Sequence, residues 1–179
     1  MIVIFLHGPP ASGKYTVGKA LSALLGMPLF HNHLAVDLAR SLFEFGTTGF
    51  VKLREQVWLA AFEAAAAAGQ SFIFTFAPEA TVDAGLIARL ERIVVRHGGR
   101  IHFVELRCPD ATIRERLANE SRAAFGKLMD VNLYRSIRDA GGFEFPILPA
   151  PLVVIDSESM NPDSAALAVQ AALAGVTSR

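Results

Sequence analysis

The segment GPPASGK at residues 8–14 constrains the fold more than any other part of this chain. It lies between an apolar run at residues 2–6 and an apolar pattern of helical spacing at residues 17–25. A strand, a glycine-rich turn and a helix in this order gather several backbone N–H groups and the positive end of a helix around one hollow. The sequence therefore predicts a phosphate-binding loop made of Gly8, Pro9, Pro10, Ala11, Ser12, Gly13 and Lys14.

The lysine of this segment supports a nucleotide ligand. Lys14 falls in the first turn of the predicted helix, where the dipole disfavours a cation unless an anion lies beside it. An ordinary glycine turn leaves such a lysine unexplained. The next position usually holds Ser or Thr, whose hydroxyl binds Mg²⁺, but here it is Tyr15, followed by Thr16. We expect ATP and Mg²⁺ as cofactors, with Tyr15 and Thr16 near the nucleotide and Thr16 as the candidate metal ligand.

Composition narrows the class of protein. The chain has 179 residues, 52% of them apolar, which suits one globular domain over residues 1–179. Its formal net charge is zero, which argues against a nucleic-acid partner, and no apolar run is long enough to suggest a membrane partner. The one cysteine, Cys108, suits a reducing compartment, so we expect a cytoplasmic protein. Oligomeric state does not follow from the sequence.

Strand-like and helix-like stretches alternate along the chain, which predicts a parallel sheet covered on both faces. Right-handed crossovers would then put the glycine loop at the carboxyl edge of that sheet. Asn32 is a candidate helix cap, with Leu34, Leu38 and Leu42 expected on one apolar face. The predicted strands cover residues 2–7, 28–31, 72–77, 101–106 and 152–155. The first predicted helix follows the glycine loop and ends at residue 25, and three more cover residues 32–45, 50–68 and 81–96. Another helix starts at residue 109, and the last covers residues 161–174.

Three motifs give the chain a family resemblance. They are the loop with its helix at residues 8–19, Arg116 and Arg122 after a strand that ends in RCP at 107–109, and VVIDS at 153–157 leading into NPD at 161–163. With these motifs the chain resembles P-loop kinases of the shikimate kinase and gluconate kinase group, which includes the chloramphenicol phosphotransferase-like enzymes. The resemblance implies an α/β, three-layer P-loop NTPase fold, with a five-stranded parallel sheet, helices on both faces and a short lid at roughly 119–142.

The same resemblance implies roles for several residues. Arg116 would lie over the base of the nucleotide, Asp156 and Ser157 would lie beside the adenine, and Arg122 would belong to a mobile lid. Phosphoryl transfer needs positive charge around the transferred group, so a second cation should join Lys14. Residues 107–139 contain seven basic and five acidic side chains. Most of these charged side chains are therefore expected to form exposed ion pairs. Arg122 is the strongest candidate for that second catalytic cation.

The acceptor site should lie near the end of the second strand, where the sequence is FHNHLAVD at residues 30–37. Similar kinases often have Asp-x-Asp here, and this chain has His31 and His33 in those places. In one interpretation His31, His33 and Asp37 contact the acceptor, and Asp37 or a neutral His33 takes the hydroxyl proton. In another, His31 and Asn32 are packing and capping residues and Asp37 is a surface charge. A metal site on His31 and His33 is a third interpretation.

These observations leave three functions open. The first is an ATP-dependent kinase that phosphorylates a hydroxyl of a small metabolite or antibiotic-like molecule. The second is a nucleoside or nucleotide kinase, in which Arg40, Lys52 and Arg54 supply cations for an acceptor phosphate. The third is a nucleotide-binding protein with little catalytic activity, which the missing Ser or Thr after Lys14 favours.

Overall fold

A computed structural model describes residues 1–118, 130–144 and 146–177. One or two helices separate each strand from the next through these residues, in agreement with the alternation that the sequence predicts. The strands are β1 (Ile2–His7), β2 (Leu29–His31), β3 (Phe72–Phe76), β4 (Arg100–Arg107) and β5 (Val153–Asp156). The helices are α1 (Lys14–Leu25), α2 (His33–Arg40), α3 (Thr48–Ala67), α4 (Leu86–Arg96), α5 (Asp110–Leu117), α6 (Val131–Asp139) and α7 (Pro162–Thr177).

The strands form one parallel sheet of five strands in the order β2-β3-β1-β4-β5. Because β1 is central, the loop that follows it lies between the carboxyl ends of β3 and β4. Alternate residues of β1 point to opposite faces, since Phe5 belongs to one buried cluster with Trp58 of α3, whereas Leu6 belongs to another with Leu21 of α1. Both faces of the sheet are therefore covered by helices, and the predicted three-layer P-loop NTPase fold is confirmed.

Helix α2 differs from the prediction in length and in its buried face. It ends at Arg40 rather than near residue 45, and the side chain of Asn32 makes no capping hydrogen bond because its backbone is already helical, with φ −47°. The predicted apolar face is exposed to solvent: Leu34, Leu38 and Leu42 are 50%, 47% and 71% exposed. Helix α2 instead packs through Ala35, Val36 and Ala39.

Helix α6 lies in the segment predicted to be a lid. The carboxylate of Asp130 caps it by accepting hydrogen bonds from the backbone N–H groups of Asn132 and Leu133. The ring of Tyr134 is buried against Ile113 and Leu117 of α5. The carboxyl-terminal part of the predicted segment is therefore a helix anchored on α5, whereas residues 119–129, including Arg122, lie outside the described residues.

The helix predicted from Thr81 begins five residues later, at Leu86. Residues 81–85 form a turn instead, because the backbone N–H of Asp83 donates to Glu55 and the carboxylate of Asp83 accepts from Gly85 N. No helix in the described part of the chain is long and apolar enough to cross a membrane.

Candidate active site

The loop after β1 needs glycine at two positions. Gly8 has φ +152° and Gly13 has φ +86°, which are conformations that residues with a side chain rarely adopt. A Cβ atom at Gly8 would also clash with the backbone oxygen of Leu106 in β4. The sequence therefore keeps the loop backbone against the sheet edge and leaves its inner side open for a ligand, as a phosphate cradle requires.

Lys14 closes over this loop. Its ammonium Nζ donates hydrogen bonds to the backbone oxygens of Gly8, at 2.8 Å, and Pro9, at 2.6 Å, and lies 3.4 Å from the Oγ of buried Ser12. The cation therefore lies against the backbone of the loop, at the edge of the cavity described below. A phosphate bound there would meet both the loop amides and the lysine.

His7, the last residue of β1, stays neutral next to the loop. Burial is the main cause that lowers the pKa of its imidazole to about 4, with Lys14 contributing in the same direction and the carboxylate of Glu105 opposing it. Its Nε2 is buried and has no hydrogen-bond partner among the described residues. A neutral His7 adds no charge of its own to the loop at physiological pH.

Arg116 and Ser157 lie together beside the loop. The Nη2 of Arg116 donates to the backbone oxygen of Ser157 at 2.7 Å. Its Nη1 approaches to 3.8 Å of the position that a Cβ at Gly13 would occupy. Ser157 is held in turn by β4, because its N–H and hydroxyl both donate to the oxygen of Arg107, at 2.9 and 3.0 Å.

The carboxylate of Asp156 hydrogen bonds only to neighbouring residues of the same turn among the contacts that the structure describes. Its carboxylate accepts hydrogen bonds from the Ser159 hydroxyl and the Glu158 N–H, and these bonds lower its pKa. It stabilises the turn between β5 and α7. Unlike Ser157, it is not among the residues that line the cavity described next.

One cavity of about 1020 Å³ extends from the loop across the carboxyl edge of the sheet. On the side of the loop it is lined by Pro10, Ala11, Gly13, Lys14, Tyr15, Thr16, Arg116 and Ser157. On the far side it is lined by residues of β2, α2, α3 and the segment after β3, among them His31, His33, Arg40, Arg54, Trp58, Glu79 and Thr81. The loop and the predicted acceptor region therefore open into the same space.

Of the residues predicted to meet the acceptor, the structure brings two to this cavity. His31 and His33 line it, and the ring of His31 contacts the ring of Tyr15 edge-on, with 5.1 Å between centroids. Asp37 is exposed on α2 and does not line the cavity. The structure thus contradicts the expected placement of Asp37, because α2 packs through its small residues and turns this side chain towards solvent.

A polar group in the cavity wall was not predicted as a unit. The guanidinium of Arg54 forms a salt bridge with Glu79 and lies over the rings of Phe50 and Trp58, at 5.1 and 4.7 Å from their centroids. Thr81 joins both charges, because its hydroxyl donates to Glu79 at 2.7 Å and accepts from Arg54 at 3.3 Å. The signal was present in α3, where Arg54 lies four residues from each aromatic residue, in the middle of a buried stripe.

Magnesium has no protein-built cage in the described residues. No group of three or more His, Cys, Asp or Glu side chains there could hold a metal ion, which gives no support to a metal site on His31 and His33. Thr16 is exposed at the cavity, and Glu79, the carboxylate on the far side of the cavity, is already paired with Arg54. Mg²⁺ usually retains waters and binds through one or two protein groups plus the phosphates of its nucleotide. These residues alone therefore do not fix the ion.

Comparison with known families agrees with this architecture. A family model described as an AAA domain, AAA_33, matches residues 3–133, which include the glycine loop, Lys14 and Arg116. The chain belongs to this family. No curated protein sequence matches it at a significant level.

Solved structures place the same fold among small-molecule kinases. A gluconokinase from Sinorhizobium meliloti 1021 is 20% identical, with 98% of this chain and 94% of that chain covered and a TM-score of 0.65. A sugar kinase from Janibacter sp. HTCC2649 is 18% identical, with 96% and 93% covered and a TM-score of 0.65. The shikimate kinase from Aquifex aeolicus is 19% identical, with 98% of both chains covered and a TM-score of 0.57. The predicted resemblance to P-loop small-molecule kinases is confirmed for the fold.

Proposed function

We propose that this AAA-family protein transfers the terminal phosphoryl group of ATP to a hydroxyl of a small molecule. The observation that supports this most is the single cavity shared by the glycine loop and the far wall. Its volume of about 1020 Å³ slightly exceeds the range of about 300–1,000 Å³ for a single ligand. It has room for a triphosphate tail and an acceptor next to each other.

The loop amides and Lys14 would bind the outer phosphates, and Arg116 and Ser157 would border the base. In the transfer, the acceptor hydroxyl oxygen forms a bond to the γ-phosphorus, and the bond from that phosphorus to the bridging oxygen of ADP breaks. The hydroxyl proton passes to His33, which lines the cavity, and ADP leaves with the electron pair of the broken bond. Asp37 is not assigned this proton because it is exposed.

Two further parts of the proposal come from the sequence. Arg122 is proposed as the second cation at the transferred group, acting from the segment outside the described residues. Mg²⁺ is proposed to arrive with the nucleotide and to neutralise charge on its phosphates, with Thr16 as the candidate protein ligand.

ATP consumption measured against a library of hydroxyl compounds tests this function. We expect saturable ATP binding and stimulation of ADP release by a subset of the compounds. Tight ATP binding without stimulation by any compound would favour a nucleotide-binding protein with little catalysis, for which Tyr15 after the lysine is the supporting observation. Absence of saturable ATP binding would refute both functions.

The arrangement gives less support to a nucleoside or nucleotide kinase. Such an enzyme needs cations for the phosphate of its acceptor, and Arg54 was one candidate. Its charge is already paired with Glu79. The pair of Arg54 and Glu79 also affects which acceptor molecules can bind in the cavity.

A further inference from the structure

We propose that the pair of Arg54 and Glu79 selects an acceptor that presents an uncharged hydroxyl group to this wall, and rejects acceptors that present a carboxylate, a phosphate or an ammonium group. The inference rests on the proposed kinase function and specifies its substrate class as uncharged polyols. It concerns the part of the cavity bounded by α3 and the segment after β3.

Charge is the first argument. Arg54 is only 1% exposed and Glu79 is 21% exposed, so the carboxylate is the more accessible member of the pair. The two charges cancel, and an incoming anion would lose its hydration without gaining a net cation. It would also approach the oxygens of Glu79. The wall therefore disfavours a carboxylate or phosphate, although it contains an arginine.

Unused donors are the second argument. The Nε of Arg54 and the Nε1 of Trp58 are buried and have no hydrogen-bond partner within the described residues. Buried polar groups in folded proteins are nearly always paired, so these two donors point to an oxygen supplied by a ligand. Both side chains line the cavity.

A hydroxyl satisfies both sets of groups at once. Its oxygen can accept a hydrogen bond from a donor of Arg54 or Trp58, and its proton can be donated to Glu79. An ammonium group could donate to Glu79 but could not accept from the unused donors. A carboxylate could accept but has nothing to donate, and its charge is unmatched.

The decisive experiment compares three six-carbon chains that differ at one end only: D-glucitol with a hydroxyl, D-gluconate with a carboxylate and D-glucamine with an ammonium group. Trp58 is the only tryptophan of the chain, so its emission reports on this wall. Each probe is titrated into full-length protein saturated with a non-hydrolysable ATP analogue. We expect D-glucitol to bind about tenfold more tightly than either charged probe. Equal responses, no response to any probe, or a preference for a charged probe would overturn the inference.

The variant Glu79→Gln tests whether the charge of Glu79 causes the weak binding of D-gluconate. It removes the negative charge and leaves the guanidinium of Arg54 unbalanced, so D-gluconate should bind about tenfold more tightly than to the unmodified protein. Glu115→Gln removes the same charge from the exposed surface of α5 and should leave the ranking of the probes unchanged. A D-gluconate affinity that Glu79→Gln leaves unaltered would contradict the role of the pair. If that variant fails to fold, the ranking in the unmodified protein decides alone.

The two proposals fail in different ways. Absence of ATP binding, together with a preference for D-glucitol when the probes are titrated into the protein without nucleotide, would refute the kinase function and leave the selection by Arg54 and Glu79 standing. ATP-dependent phosphorylation of acids in preference to their matched polyols would refute the selection by Arg54 and Glu79 and leave the kinase function standing.

Discussion

Arg54 and Glu79 form a salt bridge that joins α3 to the segment after β3, across 25 residues of sequence. The guanidinium is enclosed by the rings of Phe50 and Trp58, and Thr81 hydrogen bonds to both charges. One wall of the cavity is thus fixed by an ion pair rather than by apolar packing alone. Loss of either partner leaves the other charge without compensation in a mostly buried place.

Removal of one partner should therefore destabilise the protein strongly. We expect Arg54→Ala to lower the free energy of unfolding by about 3 kcal/mol and Glu79→Gln by about 2 kcal/mol, the second value being smaller because Glu79 is partly exposed. Urea denaturation of both single variants and the double variant measures the coupling. The double variant should lose clearly less than the sum of the two, and strictly additive losses would show that the residues do not act as a pair.

The sequence predicted those parts of the fold whose signals are local. The bounds of β1 and the end of α1 were correct, because an apolar run, a glycine loop and a terminal Gly26 specify them without reference to the rest of the chain. Helix α2 was predicted too long and with the wrong buried face. Its apolar pattern allowed either side to be buried, and packing of Ala35 and Ala39 chose the face.

In the site, too, local motifs were easier to interpret than contacts between distant segments. Short motifs and the family resemblance singled out Lys14, Arg116 and Ser157, and all three line the cavity, while their roles towards a nucleotide stay predictions. The aromatic residues four positions before and after Arg54 mark a buried arginine, but they do not name its partner, because Glu79 lies in a distant segment that meets α3 only in the folded protein. Asp37 was expected at the acceptor because four-residue spacing puts it on one side of a helix with His33, but spacing does not say which side faces the cavity.

Lys14→Ala should abolish transfer and leave the fold intact. The ammonium of Lys14 hydrogen bonds mainly to loop backbone oxygens, so its loss removes a cation from the phosphates without opening the core. We expect turnover to fall by about a hundredfold or more in an ATP consumption assay. Lys19→Ala, which removes an exposed lysine of the same helix, is the control and should retain turnover. Comparable activity in both variants would refute the role of Lys14.

Gly8→Ala should disrupt the loop. An added Cβ would clash with the oxygen of Leu106, and φ +152° is unfavourable for alanine, so we expect about 1–3 kcal/mol of destabilisation and loss of ATP binding. Gly175→Ala is the matched control, because open space surrounds that position in α7 and alanine favours a helix by about 0.5–1 kcal/mol. Thermal unfolding with and without ATP measures both effects. Unchanged ATP affinity in Gly8→Ala would contradict the phosphate cradle.

His7 should make the protein less stable in mild acid. The pKa of its imidazole is about 4 in the folded protein, against 6.5 for an unperturbed histidine, so the unfolded chain binds the proton more readily. The contribution of His7 to the free energy of unfolding should be fully present above pH 6.5. It should decrease progressively towards pH 4, by about 3 kcal/mol in total. Urea midpoints measured across this window should show a shallower pH slope for His7→Gln. An identical slope in both proteins would exclude His7 as the source.

Tyr15→Thr should lower the Mg²⁺ concentration that is needed for half-maximal turnover. It puts a hydroxyl directly after Lys14, where P-loops usually hold the ion, and removes the ring that contacts His31. We expect the unmodified protein to lose turnover in excess chelator, since the phosphates bring the ion, and the variant to reach half-maximal turnover at a severalfold lower Mg²⁺ concentration. A magnesium titration of ATP consumption compares the two, with Thr16→Val as the variant that removes the neighbouring hydroxyl. Full turnover of the unmodified protein in excess chelator would contradict the magnesium dependence, and an unchanged titration midpoint in Tyr15→Thr would show that the residue after Lys14 does not limit binding of the ion.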